Sequence, residues 1–284
     1  MTKYNLSKKV IITGANGFVG QHLVPLLLDN NYEVVAIIRD HKKVAQFDWR
    51  KDVKCILLDF HKEDKLPMDV RGWGLIHAAW QGLPNYKKLF HLEENLPFSY
   101  RFIKSLVVSG VNKVLVTGTC SEYGYQNGKI PSTTKPIPNT PYGAAKDQLR
   151  QQLEYLATVH PFCFQWARLF YMYGKGQNPN SVLSQLDAAI DKNDAVFNMS
   201  EGEQLRDYLP IEKLAKQLLD LYSSGYEGVC NICSGKPISV RRLVEQRISE
   251  SNSKIALNLG YYSYLDYEPM AFWGVRDISD SESS

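Results

Sequence analysis

The stretch Thr13-Gly-Ala-Asn-Gly-Phe-Val-Gly20 follows an apolar run, Val10–Thr13, and opens a helical pattern, Phe18–Asn30. Its three glycines allow a tight turn, the close approach of a pyrophosphate, and the packing of helix on strand. The start of a helix also offers free N–H groups and a positive dipole to phosphates. A second apolar run, Glu33–Ile38, completes a strand–helix–strand unit. The stretch therefore predicts a dinucleotide-binding turn, against the alternative of a glycine-rich turn that binds nothing.

The same alternation continues along the chain. Further predicted strands are Lys54–Leu58, Leu75–Ala78, Lys113–Thr117, Phe164–Phe170 and Val229–Ile232. Further predicted helices are Lys43–Asp48, Leu92–Ser109, Pro141–Val159, Val182–Asp191 and Ile211–Tyr222. Continuous apolar strands separated by helices indicate a parallel sheet that is covered on both faces, with right-handed connections. The predicted fold class is α/β, a Rossmann-type doubly wound parallel sheet.

The alternation of apolar strands and helices becomes less regular after Tyr171. This change predicts a second unit made of separate segments of the chain. We expect residues 1–170, together with about 206–232, to form the Rossmann domain. Residues 171–205 and 233–284 would form a small, discontinuous α/β lobe that binds the substrate. The polar tail Asp280–Ser284 is expected to be disordered.

Composition narrows the classes of function. The net charge of +3 is not gathered into a basic stripe, so nucleic acid is not an expected partner. No apolar run reaches the length of a membrane helix, and the polar start Met1–Lys9 does not resemble a signal peptide. Five cysteines, an odd number, indicate free thiols in a reducing compartment. Cys230-Asn-Ile-Cys233 has no second pair to complete a metal site, so a cytoplasmic protein without a bound metal is expected.

The end of the second strand selects the cofactor. A carboxylate there would bind the 2′-hydroxyl of NAD, whereas an arginine suits the 2′-phosphate of NADP. The expected acid position is Ile38, and Arg39 follows it, which favours NADP(H) over NAD(H). Two alternatives stay open: Asp40 is the acid if the strand is displaced by two residues, or Arg39 is a solvated surface charge.

Tyr142-Gly-Ala-Ala-Lys146 begins a predicted helix, so its tyrosine and lysine share one face. A neighbouring ammonium would lower the pKa of the phenol towards the range useful for proton transfer. The spacing alone is weak, because it recurs at Tyr4/Lys8, Tyr100/Lys104, Tyr125/Lys129 and Tyr171/Lys175.

Context favours Tyr142 among these candidates. Thr117-Gly-Thr-Cys-Ser-Glu-Tyr-Gly124 leaves the fifth strand at the carboxyl edge of the sheet, where such folds bind ligands. It supplies the hydroxyls of Thr119 and Ser121, alternate residues that would point to one side. Tyr125 and Tyr171 are predicted to lie in loops, and Tyr100 in a helix where it packs.

The sequence resembles the extended short-chain dehydrogenase/reductase family, which includes nucleotide-sugar epimerases, dehydratases and 4-ketoreductases. The resemblance covers almost the whole chain and includes the glycine-rich turn, Thr119 and the Tyr142/Lys146 pair. The remaining matching segments are Asp59-Phe60, His77-Ala-Ala79, Asn95, Arg168-Leu-Phe-Tyr-Met-Tyr-Gly174 and Arg206-Asp-Tyr-Leu-Pro-Ile211.

The resemblance implies a set of site residues. Tyr142, Lys146 and Thr119 would be catalytic. The implied cofactor contacts are Gly14, Asn16, Gly17, Phe18, Val19, Arg39, Asp59, Phe60, His77, Ala78, Ala79, Asn95, Thr117, Tyr142, Lys146 and Leu169. The implied substrate contacts are Thr119, Ser121, Tyr171 and Arg206, with Arg206 on the diphosphate of a nucleotide-linked sugar. Relatives often dimerise through the helices within Leu92–Ser109 and Tyr142–Leu156, so a homodimer is expected.

Departures from the family pattern narrow the reaction. The 4,6-dehydratases carry an Asp-Glu pair where this chain has Cys120 and Ser121, and Glu122 is one place off and should face away. Tyr171 replaces an asparagine of many epimerases. The chain most resembles reductases of nucleotide-linked 4-keto-6-deoxyhexoses, of the dTDP-6-deoxytalose or dTDP-fucose type, which predicts NADPH-dependent reduction at C4. The alternatives are a nucleotide-sugar 4-epimerase with bound NAD and a non-catalytic NADP-sensing protein.

Overall fold

The computed structural model describes residues 7–264, 266 and 268–277. The predictions for Tyr4 and for the tail Asp280–Ser284 lie outside these residues. The strands, numbered along the chain, are β1 (Lys9–Thr13), β2 (Glu33–Ile38), β3 (Lys54–Leu57), β4 (Gly74–His77), β5 (Lys113–Thr119), β6 (Gly128–Ile130), β7 (Cys163–Leu169), β8 (Tyr171–Tyr173), β9 (Val196–Asn198), β10 (Leu205–Arg206), β11 (Tyr208–Pro210), β12 (Gly228–Ile232), β13 (Ile238–Ser239), β14 (Ala256–Asn258) and β15 (Ala271–Gly274). The α-helices are α1 (Gly20–Asp29), α2 (Leu96–Val108), α3 (Pro141–Val159), α4 (Val182–Asp191), α5 (Ile211–Ser223) and α6 (Val240–Glu250).

The main sheet contains seven strands in the order β12-β7-β5-β4-β1-β2-β3, and every pair is parallel. The strand order reverses between β1 and β4, which opens a crevice at the carboxyl ends of these strands. The predicted Rossmann-type doubly wound sheet is therefore confirmed.

Helices cover both faces of this sheet. On one face α1 and α5 bury Leu23, Leu27, Leu214 and Leu218 with the apolar side chains of β1 and β2. On the other face α2 and α3 bury a second set that includes Phe102. Burial on both sides explains why the strands are apolar throughout rather than alternating.

A smaller lobe contains a four-stranded sheet, β13-β10-β15-β6, and two-stranded sheets formed by β8 with β11 and by β9 with β14. Helices α4 and α6 enclose its apolar centre, which includes Leu186, Phe197 and Val244. Helix α6 and most of these short strands were not predicted. Two or three residues are too few for a strand to show a periodic pattern.

Two local predictions need correction. The predicted helix Lys43–Asp48 is absent; the region has short 3₁₀ turns at His41–Lys43 and Asp48–Lys51 instead. Six residues do not sustain an isolated α-helix, and the side chains of Val44 and Trp49 anchor the segment individually. The second correction concerns Tyr171, which lies in β8 and not in a loop, because β8 pairs with β11.

In the described ranges, no helix is both long and apolar enough to cross a membrane. All five cysteines are free, and Cys230 lies in the buried strand β12, as predicted. The residues that the structure describes contain no group of three or more His, Cys, Asp or Glu side chains that could hold a metal ion.

Candidate active site

The glycine-rich turn joins β1 to α1 and packs against the chain that leaves β4. Gly14 has a φ of 73°, and a Cβ there would lie 2.8 Å from the backbone nitrogen of Ala79. Gly17 N–H donates to the Gly14 carbonyl at 2.9 Å, and a Cβ on Gly20 would collide with that same carbonyl. Asn16 and Gly17 are exposed at the turn, and Phe18 and Val19 are half-buried. This tight, partly exposed turn at a helix start fits the pyrophosphate of a dinucleotide.

Arg39 directly follows β2, which ends at Ile38 as predicted. Its side chain is exposed. Burial lowers the pKa of the nearby His61 imidazole, and the charge of Arg39 adds a smaller effect in the same direction. The Asp40 carboxylate instead accepts the N–H of Lys42 at 2.9 Å and caps the following 3₁₀ turn. The strand is therefore not displaced, and Arg39 is the first residue after it.

Several residues implied as cofactor contacts have buried side chains. The His77 imidazole is fully buried, with Nδ1 3.0 Å from the Thr13 hydroxyl and Nε2 3.3 Å from Ser99, and burial lowers its pKa to about 3. The Phe60 ring packs against His77 and Phe102 in the core. Any contact of His77 or Phe60 with a cofactor would therefore come from the backbone.

The remaining implied contacts lie around the carboxyl ends of the central strands. Ala78 and Ala79 are half-buried after β4, and Asp59 is half-buried after β3. Leu169 is buried at the end of β7. The amide of buried Asn95 donates to the Gln81 carbonyl at 3.0 Å and so holds the chain that leaves β4.

Thr119 is the last residue of β5, two residues beyond the predicted end of this strand. Its hydroxyl accepts the N–H of Ser121, and its own N–H donates to the Glu122 carboxylate at 2.8 Å. This capping box starts a 3₁₀ turn, Cys120–Tyr123. Ser121 therefore does not continue the strand, and the predicted alternation of Thr119 and Ser121 does not apply.

Glu122 is completely buried and forms an ion pair with Arg168. Its carboxylate accepts Arg168 Nε–H at 2.6 Å and Trp166 Nε1–H at 3.0 Å. Burial raises the pKa of Glu122, and the Arg168 guanidinium opposes this effect. The carboxylate thus supports the turn that carries Thr119.

Tyr142 lies in the first turn of α3, whose N-cap Thr140 accepts the N–H of Gly143 at 3.1 Å. The Tyr142 side chain is 7% exposed, and its hydroxyl lies close enough to the Thr119 side chain for Thr119 to oppose the rise in pKa that burial causes. Its backbone N–H donates to the Tyr86 carbonyl at 3.1 Å. The two predicted catalytic residues therefore lie near each other at the carboxyl edge of the sheet.

Lys146 follows one turn later on α3 and is 2% exposed. Its Nζ donates to the Thr117 carbonyl at 2.7 Å and lies 4.0 Å from the ring centroid of Trp80. Burial lowers the pKa of Lys146 to about 7. Burial also raises the pKa of Tyr142, which corrects the expectation that its pKa is lowered; Thr119 opposes this rise only in part.

The other tyrosines at this spacing lie elsewhere. Tyr125 is 55% exposed, and Tyr100 is on α2 with its ring 5.9 Å from Lys104 Nζ. Tyr171 is half-buried in the smaller lobe. In the described part of the chain, Tyr142 is the member of the series that lies near enough to Thr119 for Thr119 to affect its pKa.

Arg206 is 3% exposed at the smaller lobe and was expected to bind a diphosphate. Its Nη2 lies 2.9 Å from the Glu268 carboxylate, and its guanidinium lies 5.6 Å from the ring centroid of Tyr171. All three residues line a cavity of about 270 Å³ that also includes Asn180 and Phe197. Sequence reasoning did not identify Glu268 or Trp80, because neither shows a spacing that points to its partner.

The sequence of residues 10–233 matches the family model described as the NAD dependent epimerase/dehydratase family. The chain belongs to the NAD-dependent epimerase/dehydratase family. A family relative, dTDP-6-deoxy-L-talose 4-dehydrogenase (NAD(+)) of Aggregatibacter actinomycetemcomitans, is 34% identical over 94% of this chain and 99% of its own length. CDP-abequose synthase of Salmonella typhimurium is 24% identical over 78% of this chain and 72% of its own.

A solved structure of the same fold is UDP-glucuronic acid 4-epimerase from Bacillus cereus, in complex with UDP-glucuronic acid and NAD. It superposes with a TM-score of 0.81 at 21% identity, over 94% of this chain and 90% of that one. At this level of identity the likeness establishes the fold of the epimerase/dehydratase family and nothing finer.

Proposed function

We propose that this protein is an oxidoreductase that reduces the C4 ketone of a nucleotide-linked 4-keto-6-deoxyhexose, with a nicotinamide dinucleotide as cofactor. The observation that carries the proposal is the hydroxyl pair of Thr119 and Tyr142, with Lys146 one turn away, at the carboxyl edge of a Rossmann sheet. Two relatives support the substrate class, since they are named for dTDP-6-deoxy-L-talose and CDP-abequose.

In this mechanism a bound nicotinamide dinucleotide supplies a hydride to C4. Tyr142 donates its phenolic proton to the C4 oxygen as the carbonyl bond is reduced, and Thr119 donates a hydrogen bond to the same oxygen. Burial raises the pKa of Tyr142, so the phenol is protonated before the reaction and suited to act as an acid. The Lys146 ammonium would stabilise the phenolate that remains and would hold the ribose of the nicotinamide cofactor.

The smaller lobe is proposed to bind the nucleotide sugar, with Arg206 on the diphosphate, Tyr171 beside it and Ser121 near the sugar. Because Arg206 is paired with Glu268, the diphosphate would have to share or replace that carboxylate. A homodimer through α2 and α3 is also proposed; Val108, Tyr155 and Val159 are exposed apolar or aromatic side chains on these helices. A cytoplasmic location stays a prediction.

We further propose NADP(H) as the cofactor, on the basis of Arg39 and the engagement of Asp40 in a cap. The relative that is 34% identical carries NAD(+) in its name, so this proposal needs a direct test. Arg39→Ala should weaken NADPH binding by about 1.5–3 kcal/mol, the scale of a charge-assisted hydrogen bond, and leave NADH binding nearly unchanged. Isothermal titration calorimetry with both cofactors measures this difference.

Arg71→Ala is the matched control. Arg71 is also an exposed arginine, but it precedes β4 and so lies at the amino ends of the strands, away from the carboxyl ends where the cofactor is proposed to bind. It should change neither affinity. Equal losses for NADPH and NADH in Arg39→Ala, or tighter binding of NADH by the unchanged protein, would contradict NADP selection.

The reaction itself is tested with purified protein, NADPH or NADH, and a panel of dTDP-, GDP- and CDP-linked 4-keto-6-deoxyhexoses. We expect one equivalent of reduced cofactor to be oxidised for each sugar reduced, and no loss of water from dTDP-glucose, because the dehydratase Asp-Glu pair is absent from positions 120 and 121. Interconversion of C4 epimers without net cofactor oxidation would favour the epimerase alternative. Cofactor binding without turnover of any sugar would favour the sensing protein.

A further inference from the structure

Trp80 lies in the chain that leaves β4, directly after Ala79, and contacts both catalytic residues of α3. The Lys146 Nζ is 4.0 Å from the centroid of its ring, and its ring centroid is 6.1 Å from that of Tyr142, edge to face. A cation at this distance from an indole face is attracted by the ring quadrupole, most strongly where water is excluded. Lys146 is 2% exposed, so this condition is met.

The Trp80 ring is held in place by a buried histidine. Trp80 Nε1–H donates to His91 Nδ1 at 3.0 Å, and the Asn95 amide donates to the same nitrogen at 3.2 Å. Because Nδ1 accepts two hydrogen bonds, the imidazole proton is on Nε2, which donates to the Asn85 carbonyl at 3.1 Å. A π-helical turn, His91–Asn95, carries both side chains and brings His91 to Trp80 and Asn95 to the next residue, Gln81. Turns of this kind recur at functional sites.

The charged and titratable groups around Lys146 do not provide an ion pair. Glu122 is the acidic group that acts on Lys146, but its carboxylate is bound to Arg168 at 2.6 Å. His77 from β4 and His91 from the π-helical turn are disfavoured as cations by burial and by Lys146 itself. Tyr142 from α3 is a neutral phenol. Within the described residues, the Trp80 ring face and the Thr117 carbonyl are therefore the groups that directly stabilise the ammonium.

We propose that Trp80 is a positioning residue for Lys146: its indole face, locked by His91, holds the ammonium beside Tyr142 and favours its charged form. The proposal deepens the proposed function, because it concerns the lysine that serves the catalytic tyrosine. Burial lowers the pKa of this lysine to about 7 against the opposing charge of Glu122. The ring face is a second group that opposes the effect of burial. Trp80 thus increases the fraction of Lys146 that is charged at neutral pH.

The test is an NMR titration of the lysine side chains in protein labelled with ¹³C and ¹⁵N lysine, which needs no substrate. The Lys146 resonance is assigned by its loss in Lys146→Arg. In Trp80→Leu we expect the pKa of Lys146 to fall by about one unit, a tenfold loss of proton affinity, on the scale of a buried cation–π contact. In Trp80→Phe, which keeps a smaller ring face, the shift should be clearly smaller.

Lys113 is an internal reference in the same spectra. Like Lys146 it is buried, donates to a carbonyl, that of Ser224 at 2.9 Å, and lies near an aromatic ring, 4.9 Å from the Tyr222 centroid. Because its ring partner is Tyr222 and not Trp80, its pKa should not change in either Trp80 variant. An unchanged Lys146 pKa in folded Trp80→Leu would overturn the proposal and leave Trp80 a packing residue. If Trp80→Leu does not fold, Trp80→Phe compared with Trp80→Met decides the same point: equal Lys146 pKa values in these two variants would also overturn it.

A second measurement applies once turnover has been established. An ammonium with a lower pKa loses its proton at a lower pH, so the alkaline limb of kcat/KM should move to lower pH in Trp80→Leu. A purely structural role would reduce kcat or stability without moving this limb. The NMR titration uses no substrate, so its result does not depend on the proposed substrate. A failure of the Trp80 proposal can therefore be distinguished from a failure of the proposed function.

Discussion

Replacing Tyr142 by phenylalanine should lower the turnover of a 4-keto sugar nucleotide by about 10²–10⁴. The substitution keeps the ring, which packs among the rings of Trp80, Tyr86 and His91, and removes the hydroxyl that lies near Thr119. Without that proton donor, the developing charge on the C4 oxygen has only the hydrogen bond from Thr119. Stopped-flow or steady-state oxidation of the reduced cofactor measures the loss.

Binding of the dinucleotide should change little in the same variant, because the glycine-rich turn and Arg39 lie on other elements. The controls are Tyr100→Phe and Tyr125→Phe, which share the four-residue spacing to a lysine but lie on α2 and on an exposed loop. Near-normal turnover in Tyr142→Phe, together with a collapse in either control, would assign the proton donor to another tyrosine.

Glu122→Gln should lower the free energy of unfolding by about 3–5 kcal/mol, the cost of leaving one partner of a buried ion pair uncompensated. The carboxylate accepts hydrogen bonds from Thr119, Trp166 and Arg168, and the last two residues are inside the main sheet. An uncharged amide cannot neutralise the Arg168 guanidinium, whose side chain is 2% exposed. Urea denaturation followed by circular dichroism measures the change.

A matched control is Glu154→Gln on α3. Glu154 also contacts an arginine, Arg150, at 2.6 Å, but its side chain is 43% exposed. Solvent screens such a pair, so the loss there should be about 1 kcal/mol or less. A similar small loss in Glu122→Gln would show that the buried pair does not stabilise the fold and that the turn below Thr119 has another support.

Much of the fold could be predicted from local sequence alone. Helix α3 has the predicted bounds Pro141–Val159, because Thr140 caps it, Pro141 suits its first turn and the apolar positions repeat at the helical period. Strand β2 also has its predicted bounds, so Arg39 is the first residue after it. Signals of this kind depend on neighbouring residues, so they are legible without any knowledge of the tertiary structure.

The four-residue spacing of Tyr142 and Lys146 could also be recognised from the sequence, but the same spacing occurs at four other places in the chain. What separates Tyr142 from the other tyrosines is its proximity to Thr119, which requires β5 to end beside the first turn of α3. The direction of the Tyr142 pKa was predicted incorrectly for the same reason. Sequence indicates which charge is near, but burial depends on the packing of Trp80, Tyr86 and His91 around the ring.

The sequence by itself determined the Rossmann sheet, its glycine-rich turn and the residue types that can move a proton, because these follow from periodicity and spacing over a few residues. Only the tertiary structure decided that Glu122 pairs with Arg168, 46 positions away, that Arg206 pairs with Glu268, 62 positions away, and that Trp80 lies on Lys146. Contacts between distant positions leave no periodic pattern in the chain. Their geometry exists only after strands and helices from different segments have packed together and excluded water.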